Sequence, residues 1–226
     1  GIVLISDMQN GLFVFDVSQA IVVEAVQDSL NVTLLYNWSD STIFRYNEVW
    51  GLVQDGREYA VIGSWVGTHI FDVTDPVNST LVEYIPGAYN FSVWRDYHDY
   101  NGYLYMVSDE GPGVSTLQIA DLSFLPGSAP VVYDSNVLFS RSHNIFIDII
   151  SARLYTCGGD NNNGIRVFSL ADPVNPVELV NFTTTEITHD IYVRNDTAFV
   201  NNGNSGLFVY DFTNVTNPQL IGSLTS

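Results

Sequence analysis

Two histidines occupy corresponding places in the chain, and their side chains have the clearest potential for chemistry in this sequence. His143 and His189 each open a strand-like run, in the phrases Ser-His-Asn and Thr-His-Asp. The matching positions earlier in the chain carry Arg95-Asp96 and Glu48. Two imidazoles beside a carboxylate could bind a transition metal or transfer protons. Polar residues at the start of inner strands more commonly satisfy backbone groups and water, and we favour that structural interpretation.

No other pattern points to catalysis or to a cofactor. The loops 160–164 and 108–111 are rich in the oxygen ligands that calcium prefers, but neither follows the EF-hand spacing, and such residues are first of all turn formers. The motifs G-x-S-x-G, H-E-x-x-H and C-x-x-C and the P-loop do not occur in the sequence. His69 and His98 are expected to be surface or packing residues, and Cys157 a packed thiol. We therefore predict a protein that is not an enzyme and has no cofactor.

A repeated phrase supplies the elements that would position these residues. Residues 67–87, GTHIFDVTDPVNSTLVEYIPG, alternate along one strand, turn at the Asp-Pro-Val-Asn group and continue as a second strand. The phrase returns four more times at intervals of roughly 50 residues, a spacing typical of stacked supersecondary units. When the copies are aligned on Asp72, the corresponding residues are Asp16, Asp121, Ser169 and Asp211.

The repeat predicts a β-propeller. Two further strand-like runs precede each complete copy, so a full unit holds four short antiparallel strands, and no window shows a sustained helical period. We predict an all-β protein, a single-domain β-propeller over 1–226 with about five four-stranded blades. Because innermost strands line the channel of a propeller, His143 and His189 are expected to converge at one mouth. The predicted blades are a partial one at 1–38 and complete ones at 46–87, 91–134, 142–183 and 188–224.

The first blade is predicted to lack its innermost strand. Its segment offers strands at 2–6, 12–17 and 32–38 but no run for the inner position. Unpaired β edges recruit partners, so the missing strand would come from residues beyond 226, from the segment 21–26 or from another molecule. In the last case, copies would join head to tail into a ring or a filament. The predicted assembly edge consists of Ile2, Val3, Leu4, Ile5, Leu12 and Val14.

The charge and hydropathy of the chain exclude two classes of partner. The net charge is −18, and the seven basic residues are all arginines. Such a surface repels nucleic acid and anionic lipid, because both bind clustered positive charge. No apolar run approaches the ~20 residues needed to cross a bilayer. We expect no nucleic-acid partner and no direct insertion into a membrane.

Acceptor sequons for N-linked glycans are more frequent than the composition alone predicts. The pattern N-x-S/T occurs seven times, never with proline in the middle. This excess indicates a secretory glycoprotein, extracellular or at the cell surface; alternatively, Asn-rich turns before Thr-rich strands create sequons by themselves. The chain shows no signal peptide and begins at Gly1, so we expect a processed or partial chain. The sequon asparagines are Asn31, Asn37, Asn78, Asn90, Asn181, Asn195 and Asn214.

Several phrases resemble those of a known family. They include YNEVWGLVQDGREYAVIGSWVGTHIFDVTDP and GLFVYDF, and together they lie at 46–76, 94–111, 131–159, 187–200 and 206–212. Through these phrases the chain resembles the LVIVD-repeat β-propellers and, among them, the secreted "choice-of-anchor B" proteins. The resemblance implies a secreted propeller and brings no catalytic residues with it. The phrase at 3–14 departs from the pattern, because in that family it usually stands at the C-terminal end of a longer propeller.

These observations favour a function without catalysis. We predict an extracellular structural or interaction glycoprotein, a propeller module for surface display, adhesion or head-to-tail assembly by β-strand completion. Its partners would be other copies of itself. The alternative is a propeller that binds a ligand or metal, or an enzyme, with an axial site near His143 and His189.

Overall fold

Five antiparallel sheets make up the protein in a computed structural model, which describes residues 1–18, 32–109, 113–159, 164–183 and 187–225. The described residues form nineteen strands and three short 3-10 helices, at Pro76–Asn78, Leu122–Phe124 and Gly203–Ser205. The prediction of an all-β, propeller-like fold is confirmed. The first sheet has three strands and the other four sheets have four strands each.

The strands follow one another within each sheet in the order of the chain. Sheet 1 holds β1 (Ile2–Asp7), β2 (Gly11–Asp16) and β3 (Thr33–Trp38). Sheet 2 holds β4 (Tyr46–Gln54), β5 (Arg57–Ser64), β6 (Gly67–Asp72) and β7 (Thr80–Pro86). Sheet 3 holds β8 (Arg95–Tyr100), β9 (Tyr103–Ser108), β10 (Leu117–Asp121) and β11 (Val131–Ser135). Sheet 4 holds β12 (Asn144–Asp148), β13 (Arg153–Cys157), β14 (Gly164–Ser169) and β15 (Val177–Thr183). Sheet 5 holds β16 (Asp190–Arg194), β17 (Thr197–Asn201), β18 (Leu207–Asp211) and β19 (Gln219–Leu224).

The residue on which the repeats align performs the same task in every sheet. It is the last residue of β2, β6, β10, β14 and β18, and its side-chain oxygen accepts a hydrogen bond from the backbone N–H two residues later. Asp and Ser side chains form such turns readily, which explains the residue types found there. We call this feature the closing turn. Its N···O distances are 2.8 Å at Asp16, 3.0 Å at Asp72, 2.9 Å at Asp121, 3.2 Å at Ser169 and 2.8 Å at Asp211.

A β-bulge interrupts the pairing of the last two strands in every sheet. A bulge adds one residue to one strand and increases the local right-handed twist. Its recurrence at the same step shows that the five sheets share one backbone plan. The register shifts after Val14, Ile70, Ile119, Val167 and Val209.

The core is divided into four hydrophobic layers, each between two sheets that follow one another in sequence. In β5, Tyr59 and Val61 face sheet 3, whereas Ala60 and Ile62 face sheet 1. Strands of sheets 2 to 4 are therefore buried on both faces, which explains why they read as nearly continuous apolar runs. In sheets 1 and 5, only one of the two faces contributes to these layers.

The described part of the chain contains no helix long and apolar enough to cross a membrane.

Candidate functional site

The first strands of sheets 2 to 5, namely β4, β8, β12 and β16, lie side by side and bring polar residues together. We call these the inner strands. Each begins with a polar side chain near its N-terminal end, and we call the resulting group the mouth. Its members are Glu48, Asp96, His143, His189 and Asp190.

The two histidines of the mouth lie next to each other, with ring centroids 4.6 Å apart. His143 shares a hydrogen bond of 2.6 Å between its Nδ1 and Oδ2 of Asp109, and this bond raises the pKa of His143. Gly158 packs so closely against His143 that a Cβ atom at position 158 would lie 2.6 Å from Cβ of His143. The order of the strands thus brings together the two residues that the repeat predicted to converge.

The carboxyl group of Asp96 joins two sheets. Its Oδ1 accepts the N–H of Tyr97 at 2.7 Å, and its Oδ2 accepts the N–H of Ile145 on the neighbouring inner strand at 2.6 Å. Burial raises the pKa of Asp96 to about 8, and the negative charges of Glu48 and Asp190 act in the same direction. Burial also raises the pKa of Glu48. The carboxyl group of Asp96 in the mouth therefore serves as the hydrogen-bond acceptor of two backbone N–H groups.

The mouth brings two imidazoles together. No group of three or more His, Cys, Asp or Glu side chains within the described ranges could hold a metal ion. Of the two loops considered for calcium, residues 160–163 and 110–111 lie outside the described residues.

The β1 edge of sheet 1 has no hydrogen-bonded strand beside it in the described residues, although β1 contacts β4 of sheet 2, and the segment 21–26 lies outside the described residues. Among the described strands β1 pairs with β2 alone, and Ile2, Val3 and Ile5 on it are exposed. Leu12 and Val14 are different, because both are 0% exposed and pack against sheet 2. The sequence predicted an assembly edge of six residues, but only the four of them on β1 lie at this edge in the structure.

Sheet 1 also presents an uncovered apolar face, which we call the first end face. In the register of β1 and β2, Val3 lies opposite Phe15 and Ile5 opposite Phe13. The rings of Phe13 and Phe15 stack with centroids 6.1 Å apart. The first end face consists of Val3, Ile5, Phe13, Phe15 and Leu34, which lies opposite Phe15 on β3.

Sheet 5 presents a second uncovered apolar face at the other end, which we call the last end face. Tyr192 lies opposite Phe199, and both are exposed, while the alternate residues Ala198 and Val200 are buried against sheet 4. Leu224 is 72% exposed. The last end face consists of Phe199, Leu207, Val209 and Leu224.

Six of the seven sequon asparagines lie in the described residues, and all six are exposed. Asn214 accepts a hydrogen bond of 3.0 Å from the hydroxyl of Thr216, the third residue of its sequon. Asn31 lies outside the described residues. The exposed six are Asn37, Asn78, Asn90, Asn181, Asn195 and Asn214.

Sequence reasoning missed a row of rings along the inner strands. Successive centroids lie 4.5 Å, 5.0 Å and 5.0 Å apart, so each ring contacts the next sheet. The signal was present, because one aromatic or histidine recurs at the same place in each inner strand. The rings belong to Trp50, His98, Phe146 and Tyr192.

Comparisons with known proteins bear on the fold. No family model and no curated protein matches the sequence. Among solved structures, the chain is similar to Raptor from Chaetomium thermophilum (TM-score 0.68, 13% identity), covering 100% of this chain and 20% of that one. It is similar to a chain of the mitotic checkpoint complex (TM-score 0.68, 12% identity, 100% of this chain and 63% of that one). It is also similar to the computationally designed Ika8 protein (TM-score 0.62, 11% identity, 99% of this chain and 57% of that one).

The chain spans less than two thirds of the length of each of these three structures. None of the comparisons names the LVIVD-repeat family, so that resemblance stays a prediction. At identities this low, the likeness shows the fold alone: the protein has a β-propeller-like architecture.

Proposed function

We propose that the chain is an extracellular, non-enzymatic β-propeller module of five blades that joins copies of itself head to tail. The observation that carries the proposal is the incomplete first sheet, whose β1 edge is unpaired and whose apolar face is uncovered in the described chain. An unpaired, apolar strand edge is a template for pairing with another chain. Assembly of this kind would serve surface display or adhesion.

A second copy is the occupant that best suits the first end face. Every interior layer of the molecule is formed by the face of one sheet packing on the next sheet in sequence. The last end face belongs to a sheet of the same plan and is also apolar and uncovered. Every copy carries both faces, so sheet 5 of one copy can dock on sheet 1 of the next, and a segment of the neighbour can fill the inner position beside β1. Such a contact is heterologous and leads to a ring or a filament.

Sedimentation of variants at each end tests the proposal. Val3→Lys/Ile5→Lys places charges on the first end face, and Phe199→Lys/Leu224→Lys places them on the last. We expect the native chain to associate with rising concentration and each variant alone to remain monomeric. A mixture of the two variants should form a dimer and stop there, because the two intact faces bind each other and the two faces left free carry the introduced charges.

A matched control is Val132→Lys/Val137→Lys, which adds two charges at exposed aliphatic residues on and just after β11 of the central sheet 3, outside sheets 1 and 5. This control should associate like the native chain. A native chain that stays monomeric at high concentration would overturn the proposal, and so would a variant mixture that gives no dimer.

We also propose that the protein is secreted and carries N-linked glycans. The exposure of all six described sequon asparagines supports this, since an acceptor asparagine must be reached by the transferring enzyme. Expression through a eukaryotic secretory pathway should give a protein whose mass falls after enzymatic removal of N-glycans. An unchanged mass would contradict this part of the proposal.

A further inference from the structure

A cleft of about 350 Å³ opens between sheets 1 and 2, away from the mouth and from both end faces. One wall comes from the end of β3 and the residues after it, and the other from β6 and β7. The lining includes aromatic, aliphatic and acidic side chains but no arginine. The residues that matter here are Trp38, Asp40, Leu81, Tyr84 and His69.

His69 contributes a buried nitrogen that lacks a partner. The residue is 4% exposed, and its Nδ1 has no hydrogen-bond partner in the part of the chain that the structure describes. Its Nε2 lies 2.9 Å from Oγ of Ser64, on the other side of the ring. A buried polar atom without a hydrogen bond costs free energy, so this nitrogen is a place where a ligand can gain affinity.

The hydrogen bonds around Ser64 determine what kind of group Nδ1 can receive. The Ser64 hydroxyl has one proton, and both the carbonyl of Gly67 at 3.2 Å and Nε2 of His69 at 2.9 Å lie within its reach. We assign the proton to Gly67, so that Nε2 donates to Oγ of Ser64 and Nδ1 carries the free lone pair, because the opposite tautomer would bury an N–H donor at Nδ1, and buried donors without an acceptor are rare. Burial, together with the nearby charge of Arg95, lowers the pKa of His69 to about 4, so the imidazole is neutral at neutral pH. Nδ1 is thus a hydrogen-bond acceptor and requires a donor.

Asp40 adds a negative charge to the same cleft. Its Oδ1 accepts hydrogen bonds from N–H and Oγ1 of Thr42, at 2.8 Å and 2.7 Å, and these bonds lower the pKa of Asp40. Asp40 and His69 line the same cleft, and the negative charge of Asp40 acts to raise the pKa of His69, although burial outweighs it. Two aromatic rings flank the imidazole, with centroids at 5.0 Å for Trp38 and 4.9 Å for Tyr84.

We propose that this cleft binds a small organic ammonium ion, whose N–H group donates to Nδ1 of His69 while its charge lies beside Asp40. Both polar groups are acceptors, so a ligand that is a cation and a donor matches them, whereas an anion does not. Trp38 and Tyr84 add the attraction of aromatic rings for a cation. Leu81 and its apolar neighbours favour a ligand with a hydrophobic substituent. This site is independent of the proposed assembly.

Titration with benzylammonium chloride, followed by NMR of the histidine ring nitrogens in the full chain at neutral pH, tests the proposal. We expect a saturable shift of the Nδ1 signal of His69. Benzyl alcohol, which has the same size but no charge, should bind about tenfold more weakly, in line with the loss of an ion pair and a cation–π contact.

Asp40→Asn gives a variant in which the amide oxygen can still accept from Thr42 while the charge is gone. We expect it to weaken benzylammonium binding about tenfold and to leave benzyl alcohol unaffected. Asp75→Asn is the matched control, because Asp75 makes a similar turn bond to N–H of Val77 at 3.3 Å but does not line the cleft. The proposal is overturned if alcohol and ammonium bind equally, if Asp40→Asn binds like the native chain, or if the shifts arise at His143 and His189 instead.

Discussion

At the scale of single residues, Asp96 shows how a buried carboxyl group can join two sheets and make stability depend on pH. Its pKa is about 8 in the folded protein, against an ordinary value of 3.8. Between these values the folded chain holds a proton that the unfolded chain releases. The contribution of Asp96 is therefore fully present at low pH and is lost as pH rises from about 4 to about 8.

Asp96→Asn should remove this dependence, because the amide does not titrate. We expect the urea midpoint of the native chain to fall more between pH 5 and pH 8 than the midpoint of the variant. The variant will be less stable at pH 5, since its amide can accept only one of the two backbone bonds well. The titration of His69 occurs in both proteins and cancels in the comparison, whereas His143 loses in the variant the contribution of the Asp96 charge to its raised pKa. Equal slopes in the two proteins would contradict the assignment.

Some of these residue roles could be predicted from the sequence and others could not. His143 and His189 could be paired, because the repeat gives them equivalent positions. The role of Asp96 could not be seen, because its partner is a backbone N–H on a different sheet. His69 was expected to be a surface or packing residue; the acceptor role of its Nδ1 depends on a tautomer assigned from the hydrogen bonds of Ser64 and Gly67, and no spacing rule encodes that.

At the scale of elements, the turn after an inner strand ties one sheet to the next. Asp148 ends β12 and is 3% exposed. Its Oδ2 accepts the N–H of Asp196, in the turn of sheet 5, at 3.0 Å, and the hydroxyl of Ser151 at 2.9 Å. Its loss would leave a partly buried donor of another sheet without this partner.

We expect Asp148→Ala to lower the free energy of unfolding by about 1–3 kcal/mol, as measured by urea denaturation. Asp172→Ala is the matched control, because Asp172 accepts two hydrogen bonds in a turn, from Val174 and Asn175, much as Asp148 accepts those of Ile150 and Ser151, but it is exposed and bonds within one sheet. Its loss should be clearly smaller. If the two variants lose the same stability, the bond between sheets 4 and 5 contributes no more than a local turn.

The sequence predicted which strands exist, but it did not predict where each strand begins or where the bulges lie. Alternation and turn residues predicted four strands in each of the last four repeats, and the structure has them. The inner strand of sheet 3 begins at Arg95, inside the predicted blade 91–134, whereas Ser92 is fully buried in the loop that precedes this strand. The bulge of every sheet was not predicted, because it arises from backbone twist and no residue type marks it.

At the scale of the whole molecule, the hydrophobic pattern predicts buried strands but not which faces remain bare. Val3 and Ile5 resemble core residues in sequence, and their exposure follows from the position of sheet 1 at one end of the series. The net charge of −18 opposes association of like copies, so the end faces must bind through apolar contact at an ionic strength that screens the repulsion. The proposed head-to-tail assembly should therefore be measured at physiological salt or above.

The closing turn shows that the position on which the repeats align tolerates more than one residue type. It requires only a short side chain with an acceptor oxygen two residues before a free N–H, and Asp and Ser fulfil it equally in this chain. A position defined by geometry rather than by identity can drift in sequence while the backbone plan persists. This degeneracy offers a physical reason why proteins that share only 11–13% of their residues with this chain can still share its architecture.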